Sequence, residues 1–128
     1  MRNRTVPGKY TIGSWQNLEA ADAQRELERQ VIATQHLMVV RCLYPEGSAF
    51  SEHVHPQEQI TIVEEGTLEI EVDGEKLSVG PGQMVSINRG VPHACRVLGD
   101  QAVRALNLFH APDPDSPSVH AAGGEGMI

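Results

Sequence analysis

The run Thr67-Leu-Glu-Ile-Glu-Val72, then Asp73-Gly74, then Glu75-Lys-Leu-Ser-Val79 constrains the fold more than any other stretch of this chain. Side chains two apart on a strand share a face. Leu68, Ile70 and Val72 therefore make one apolar face, and Thr67, Glu69 and Glu71 a polar one, as a half-buried antiparallel strand requires. Asp-Gly between two such runs predicts a tight hairpin, because both central residues of that turn want positive φ. Gly80-Pro81-Gly82 supplies the next corner.

The same grammar recurs along the chain. Strands are predicted at 29–33, 36–44, 50–55, 59–64, 67–72, 75–79, 83–87, 93–98 and 101–109. Many short strands with regular turn signals mean a sandwich or barrel. Asn17 to Gln30 is charged and loosely periodic, with Asn17 as a candidate N-cap, and reads as a short helix or irregular arm. Residues 111–128 are rich in Pro, Asp, Ser and Gly and read as a mobile tail. The division is an N-terminal arm at 1–28, a barrel at 29–110 and a tail at 111–128, with no internal repeat. A chain of 128 residues, 40% of them hydrophobic, suffices for one core.

A formal net charge of −7 disfavours nucleic acid, whose binding rests on clustered Lys and Arg at the phosphates. An acidic metabolite stays open, because a local cation outweighs the overall charge. No apolar stretch approaches the roughly 20 residues that span a bilayer, and residues 1–15 lack the apolar core of a secretion signal, so a cytoplasmic address is expected. Cys42 and Cys95 form no CxxC and give no disulfide framework, so both read as reduced thiols.

Chemistry concentrates in Gly47-Ser-Ala-Phe-Ser-Glu-His53-Val-His55-Pro-Gln-Glu-Gln59, closed by Gly66 and answered by Gly90-Val-Pro-His93. His53 and His55 are expected on one strand face, Gln59 to return to the same pocket after the turn at Pro56, and His93 to open a third strand. Neutral imidazole is the commonest protein ligand for divalent transition metals, and an amide oxygen is an acceptable fourth donor. Three imidazoles and an amide suit Zn, Ni, Mn, Fe or Co.

These residues resemble the cupins. The first cupin motif runs Gly, five residues, His-x-His, three or four residues, Glu, six residues, Gly; Gly47, His53, His55, Gln59 and Gly66 fit its spacing. The second is met by Gly82, Gly90 and His93, with Asn88 where Pro is usual and Val97 where Asn is usual. The resemblance, over roughly 29–109, implies a single-domain double-stranded β-helix, or jelly-roll barrel, holding one divalent transition metal. It also implies a homodimer, since arms of small cupins often cross to the partner subunit.

Within the cupins, His55-Pro-Gln-Glu-Gln59 with Asn107-x-Phe109 is similar to the small enzymes of pectin degradation that ketonise unsaturated galacturonate. By that resemblance His53, His55, Gln59 and His93 hold the metal, and Asn107 and Phe109 fall where those enzymes carry a catalytic Asp-x-Phe. Asn in place of Asp removes an acid-base group, and the following Pro112-Asp-Pro-Asp lacks the Arg of those enzymes. Gln59, where Glu is usual, leaves a divalent ion its full positive charge. That favours Lewis-acid chemistry on a carbonyl or enol oxygen over oxygen-activating iron.

The expected function is therefore a metal-dependent enzyme acting on an enolisable carbonyl or carboxylate, by isomerisation, ketonisation or cyclisation, on a small and acidic substrate. An iron-dependent dioxygenase and a non-catalytic metal-dependent binding module are the alternatives. Parity places Arg96 and Arg104 outward and leaves Arg41 between a carboxylate clamp and a surface or interface role. Tyr10 and Tyr44 have no evident place beside the ligands. Cys95 shares the strand face of His93, and a small buried residue is its plainer reading.

Overall fold

The computed structural model of the 128-residue chain describes residues 3–18 and 27–110. Eleven strands follow in order: β1 (Arg4–Val6), β2 (Tyr10–Ile12), β3 (Glu28–Ala33), β4 (Leu37–Tyr44), β5 (Ala49–His53), β6 (Gln59–Glu65), β7 (Thr67–Val72), β8 (Glu75–Val79), β9 (Met84–Ile87), β10 (His93–Leu98) and β11 (Val103–His110). The strands β3–β4–β11–β6–β9 form a five-stranded sheet and β5–β10–β7–β8 a four-stranded one. All pairings are antiparallel. The fold is an all-β, single-domain jelly-roll barrel with a short N-terminal arm.

The two sheets face each other because each strand alternates apolar and polar residues. On β4, Met38, Val40, Cys42 and Tyr44 are buried while Val39, Arg41 and Leu43 point outward and are only partly covered. Val63, Val103, Ala105 and Phe109 join them from β6 and β11, and Leu68, Ile70, Val79 and Val97 close the core from the smaller sheet. Burying a Leu, Val or Phe side chain stabilises by about 1.5–3 kcal/mol, so this two-layer interior is what holds the barrel together.

The hairpin at 73–74 forms as the sequence requires: Asp73 has φ 49° and Gly74 φ 85°, and β7 pairs β8 from Leu68↔Val79 to Val72↔Glu75. Two expectations need correction. The strand predicted at 50–55 ends at His53, so His55 stands in the following loop and not on a shared strand face. The helix or arm at Asn17 to Gln30 is cut at both ends. Asn17 is the last residue of a 3-10 turn, Trp15–Asn17, while Glu28–Gln30 already belongs to β3, drawn into the ladder with β4. Residues 19–26 of that segment, and the tail 111–128, lie outside the described residues.

The arm also holds a hairpin that the strand pattern did not announce. β1 and β2 pair through Thr5↔Thr11, turning at Pro7-Gly8, where Gly8 has φ 72° and Lys9 N donates to Val6 O at 3.0 Å. The 3-10 turn then docks on the larger sheet. Gln30 Nε2 donates to the carbonyls of Trp15 and Leu18 at 2.7 and 3.0 Å, and the Arg41 guanidinium lies 5.3 Å from the Trp15 ring centroid. Arg41 also approaches Glu64 at 3.8 Å, so it grips the arm on the outer face of the barrel.

Candidate metal centre

The topology brings the four sequence-predicted donors to one end of the barrel. β5 and β10 are neighbours in the smaller sheet and set His53 directly opposite His93, with ring centroids 4.4 Å apart. His55 comes from the loop that crosses to the larger sheet, tied by Gly90 N donating to His55 O at 3.0 Å; its ring lies 4.9 Å from that of His93. Gln59 opens β6 on the opposite sheet. The ligand nitrogens of the three histidines all lie within 4.8 Å of one another.

Each imidazole is aimed by its own backbone. Nδ1 of His53 bonds Ser51 O at 3.0 Å, Nδ1 of His55 bonds Gln57 O at 2.9 Å, and Nδ1 of His93 bonds Val91 O at 2.9 Å. A carbonyl oxygen only accepts, so each Nδ1 carries the proton and each Nε2 is left with a lone pair. Ring–carbonyl bonds of this kind orient histidine ligands in metal sites. Burial pushes the His55 pKa below its usual value, which favours the neutral, ligating form.

The donor set fits a divalent ion. Metal–ligand bonds of about 2.1 Å put cis ligands about 3.0 Å apart and trans ligands about 4.2 Å apart. His55 Nε2 and Gln59 Oε1 stand 3.1 Å apart, the spacing of a cis pair. With the His55 proton on Nδ1, both atoms are lone-pair donors, and a cation held by the pair would reconcile the contact. The 4.8 Å bound on the histidine nitrogens slightly exceeds the longer of these spans, so the rings would have to draw together around an ion.

Behind the ligands the interior is polar but un-ionised. Asn107, on β11, is fully buried beside Gln59 and Thr61. Phe109 is buried and packs edge-on against the His55 ring at 5.6 Å between centroids. Burial pushes the Cys42 thiol up to about 11 and the Cys95 thiol up to about 12, and holds Tyr44 well above the usual phenol value. A cavity of about 10 Å³ lined by residues including Tyr44, Thr61, His93, Cys95 and Asn107 leaves room for about one water. Tyr44, which showed no evident place from sequence, thus borders the same cavity as His93. No substrate fits in that space; His53 and His55, half-buried, are the candidate ligands open to the outside.

The arginines lie elsewhere. Arg96 points outward and is paired with Glu69 at 2.8 Å, and Arg41 is engaged with the arm. Glu58 is exposed, 3.8 Å from an exposed His110.

Residues 40–109 match the cupin domain family, Cupin_2. The chain belongs to the cupins. Among curated proteins this cupin is similar to polyketide synthase CurC of Streptomyces cyaneus, 36% identical over 89 residues, covering 68% of this chain and 56% of that protein. It therefore spans little more than half the length of that relative. Among solved structures it is similar to KdgF from Halomonas sp., with TM-score 0.69 and 26% identity over 81% of this cupin and 98% of that chain. It also resembles an RmlC-like cupin from Shewanella frigidimarina, with TM-score 0.73 and 21% identity over 90% of this cupin and 98% of that chain. Among the described residues of the cupin, no helix is long and apolar enough to cross a membrane.

Proposed function

We propose that this cupin is a metal-dependent enzyme of Lewis-acid type that acts on a small, acidic molecule with an enolisable carbonyl or carboxylate, by isomerisation, ketonisation or cyclisation. The observation that carries the proposal is the charge of the site. Three imidazoles with their protons held on Nδ1 converge with a neutral amide oxygen, and the clustered group contains no carboxylate. A divalent ion held there supplies an undiminished positive charge to polarise a carbonyl or carboxylate oxygen.

The chain's own residues do the rest. His53, His55 and His93 hold fixed tautomers and take no part in proton transfer while their Nε2 lone pairs are engaged. Phe109, against the His55 ring, keeps that ligand in place and excludes water from behind it. The packed interior directs a ligand to the outer side of His53 and His55. Likeness to a protein named polyketide synthase supports a substrate bearing several carbonyls, for which cyclisation is the matching reaction.

A second reading has its own observation. Among the described residues lining the inner cavity, the thiol and the phenol ionise far above neutral pH, and Asn107 carries no acid-base proton. A binding module that recruits an acidic ligand through its metal needs no such group. The deciding experiment begins with metal per chain by elemental analysis of untagged protein, beside His53→Ala and His93→Ala. One equivalent, lost in both variants, supports the metal centre; a chain that refuses added metal ends the proposal. Conversion of a 1,3-dicarbonyl probe by the loaded protein supports the enzyme, and binding without turnover supports the module. Oxygen consumption with Fe, abolished on replacement by Zn, would move the assignment to a dioxygenase.

A further inference from the structure

We infer that Asn107 and Thr61 form a positioning relay that makes Gln59 present its oxygen, not its NH2 group, to the metal. The inference rests on the metal-centre reading above.

The two ends of a glutamine amide are nearly the same size, so shape does not choose which one faces the histidines. Hydrogen-bond partners choose. Gln59 Nε2 donates to Thr61 Oγ1 at 2.7 Å and to Asn107 Oδ1 at 3.2 Å, which uses both amide protons. The Thr61 hydroxyl donates onward to Asn107 Oδ1 at 2.6 Å, so that oxygen receives two donors. At its other end Asn107 Nδ2 donates to Tyr44 Oη at 3.1 Å and to Cys42 Sγ at 3.3 Å. Reversing the Asn107 amide would set its NH2 against the Gln59 NH2 and turn the glutamine over, pointing a donor at His55 Nε2. As built, an oxygen stands there instead.

The strand register makes the arrangement rigid. Asn107 pairs directly with Thr61 across β11 and β6, and Gln59 lies two positions along the same face of β6. Gln59, Thr61, Asn107 and Tyr44 are at most 3% exposed, so no bulk water competes for these bonds. Asn107 thus acts on the metal through Gln59, at a position from which it does not touch the ion.

The test uses Co(II), titrated into the metal-free full-length protein and read by d–d absorption and by competition with a chelator. Thr61→Val keeps the shape and removes the hydroxyl; Asn107→Leu removes both ends of the amide. Both are expected to weaken Co(II) binding by about 10- to 100-fold, the usual cost of losing a group that orients a ligand, and to alter the absorption band. Thr61→Ser restores the hydroxyl and wild-type binding. Asn107→Asp keeps an acceptor for Gln59 and Thr61 and should bind at least as well as wild type, although its buried charge lowers the thermal stability of the metal-free protein more than Asn107→Leu does.

A purely structural role predicts the opposite ranking, with Asn107→Asp the poorest binder. That ranking, or wild-type affinity and spectrum in Thr61→Val and Asn107→Leu, overturns the relay while leaving the metal centre intact. If Asn107→Leu does not fold, the Val and Ser variants at position 61 decide alone. A wild-type protein that takes up no Co(II) ends the metal reading itself, and the relay with it.

Discussion

Gly66 and Gly82 share a positive φ and differ in what surrounds them, which turns a pair of alanine substitutions into a measurement of one contact. Their φ angles are 79° and 80°, in the left-handed region that costs an L-residue about 1–2 kcal/mol. A Cβ added at Gly82 meets nothing within 4 Å, so Gly82→Ala should cost that amount and no more. A Cβ at Gly66, the buried link between β6 and β7, falls 2.7 Å from the backbone oxygen of Ala102 and 2.9 and 3.2 Å from Cγ2 and Cα of Val103. Two of those atoms are backbone and cannot rotate away, so the chain entering β11 must shift. Overpacking of this kind adds about 1–3 kcal/mol, for a total near 2–5 kcal/mol in Gly66→Ala. Urea unfolding of both variants reads the difference as a change in midpoint at constant slope. If Gly66→Ala is no more destabilised than Gly82→Ala, to within about 0.5 kcal/mol, the close approach of the β6–β7 link to β11 is wrong.

Three further outcomes follow from the same geometry. Both thiols should resist a disulfide reagent at pH 8 in the folded protein and react on unfolding, because buried Cys42 and Cys95 have pKa values near 11 and 12. Since those folded values lie above the unfolded one, the stability they carry is complete below about pH 9 and is lost as pH rises towards 11–12; a reactive thiol in the native state would contradict it. His55 has the opposite sign: its folded pKa is depressed, so metal-free protein should lose stability as pH falls below the usual histidine value of 6.5, and His55→Gln should flatten that slope in acid titrations of unfolding. Arg41→Ala should shift the emission of Trp15, the single tryptophan, by removing the cation above its ring, and should leave metal stoichiometry unchanged; a loss of metal would return Arg41 to the site.

The sequence reads well where periodicity and turn chemistry agree. β7 and β8 stand at their predicted bounds because alternation and Asp73-Gly74 point to one register. β1 and β2 escaped notice because three residues are too few to display a period, although Val6-Pro7-Gly8-Lys9 was a turn signal in plain view. At the site, the three histidines can be gathered from their spacing, but strand alternation does not explain how His53 and His55 meet. They meet because β5 stops and the chain turns, not because they alternate along a strand. Nothing in the sequence singles out Thr61, since a hydroxyl offers no proton near neutral pH. Its place between Gln59 and Asn107 depends on β6 and β11 lying side by side, a pairing of residues 46 positions apart that no local pattern announces.

The hydrogen bonds that orient the four donors differ in reach. Each imidazole is anchored to a carbonyl two positions away in its own chain segment, whereas the Gln59 amide answers to Asn107, 48 positions distant, in the core. Substitutions drifting through the barrel interior can therefore leave the three histidines pointing as before while rotating, recharging or freeing the fourth donor. In a lineage built on this scaffold, the charge of the donor set is the property most open to selection, and it can be altered from residues buried in the core.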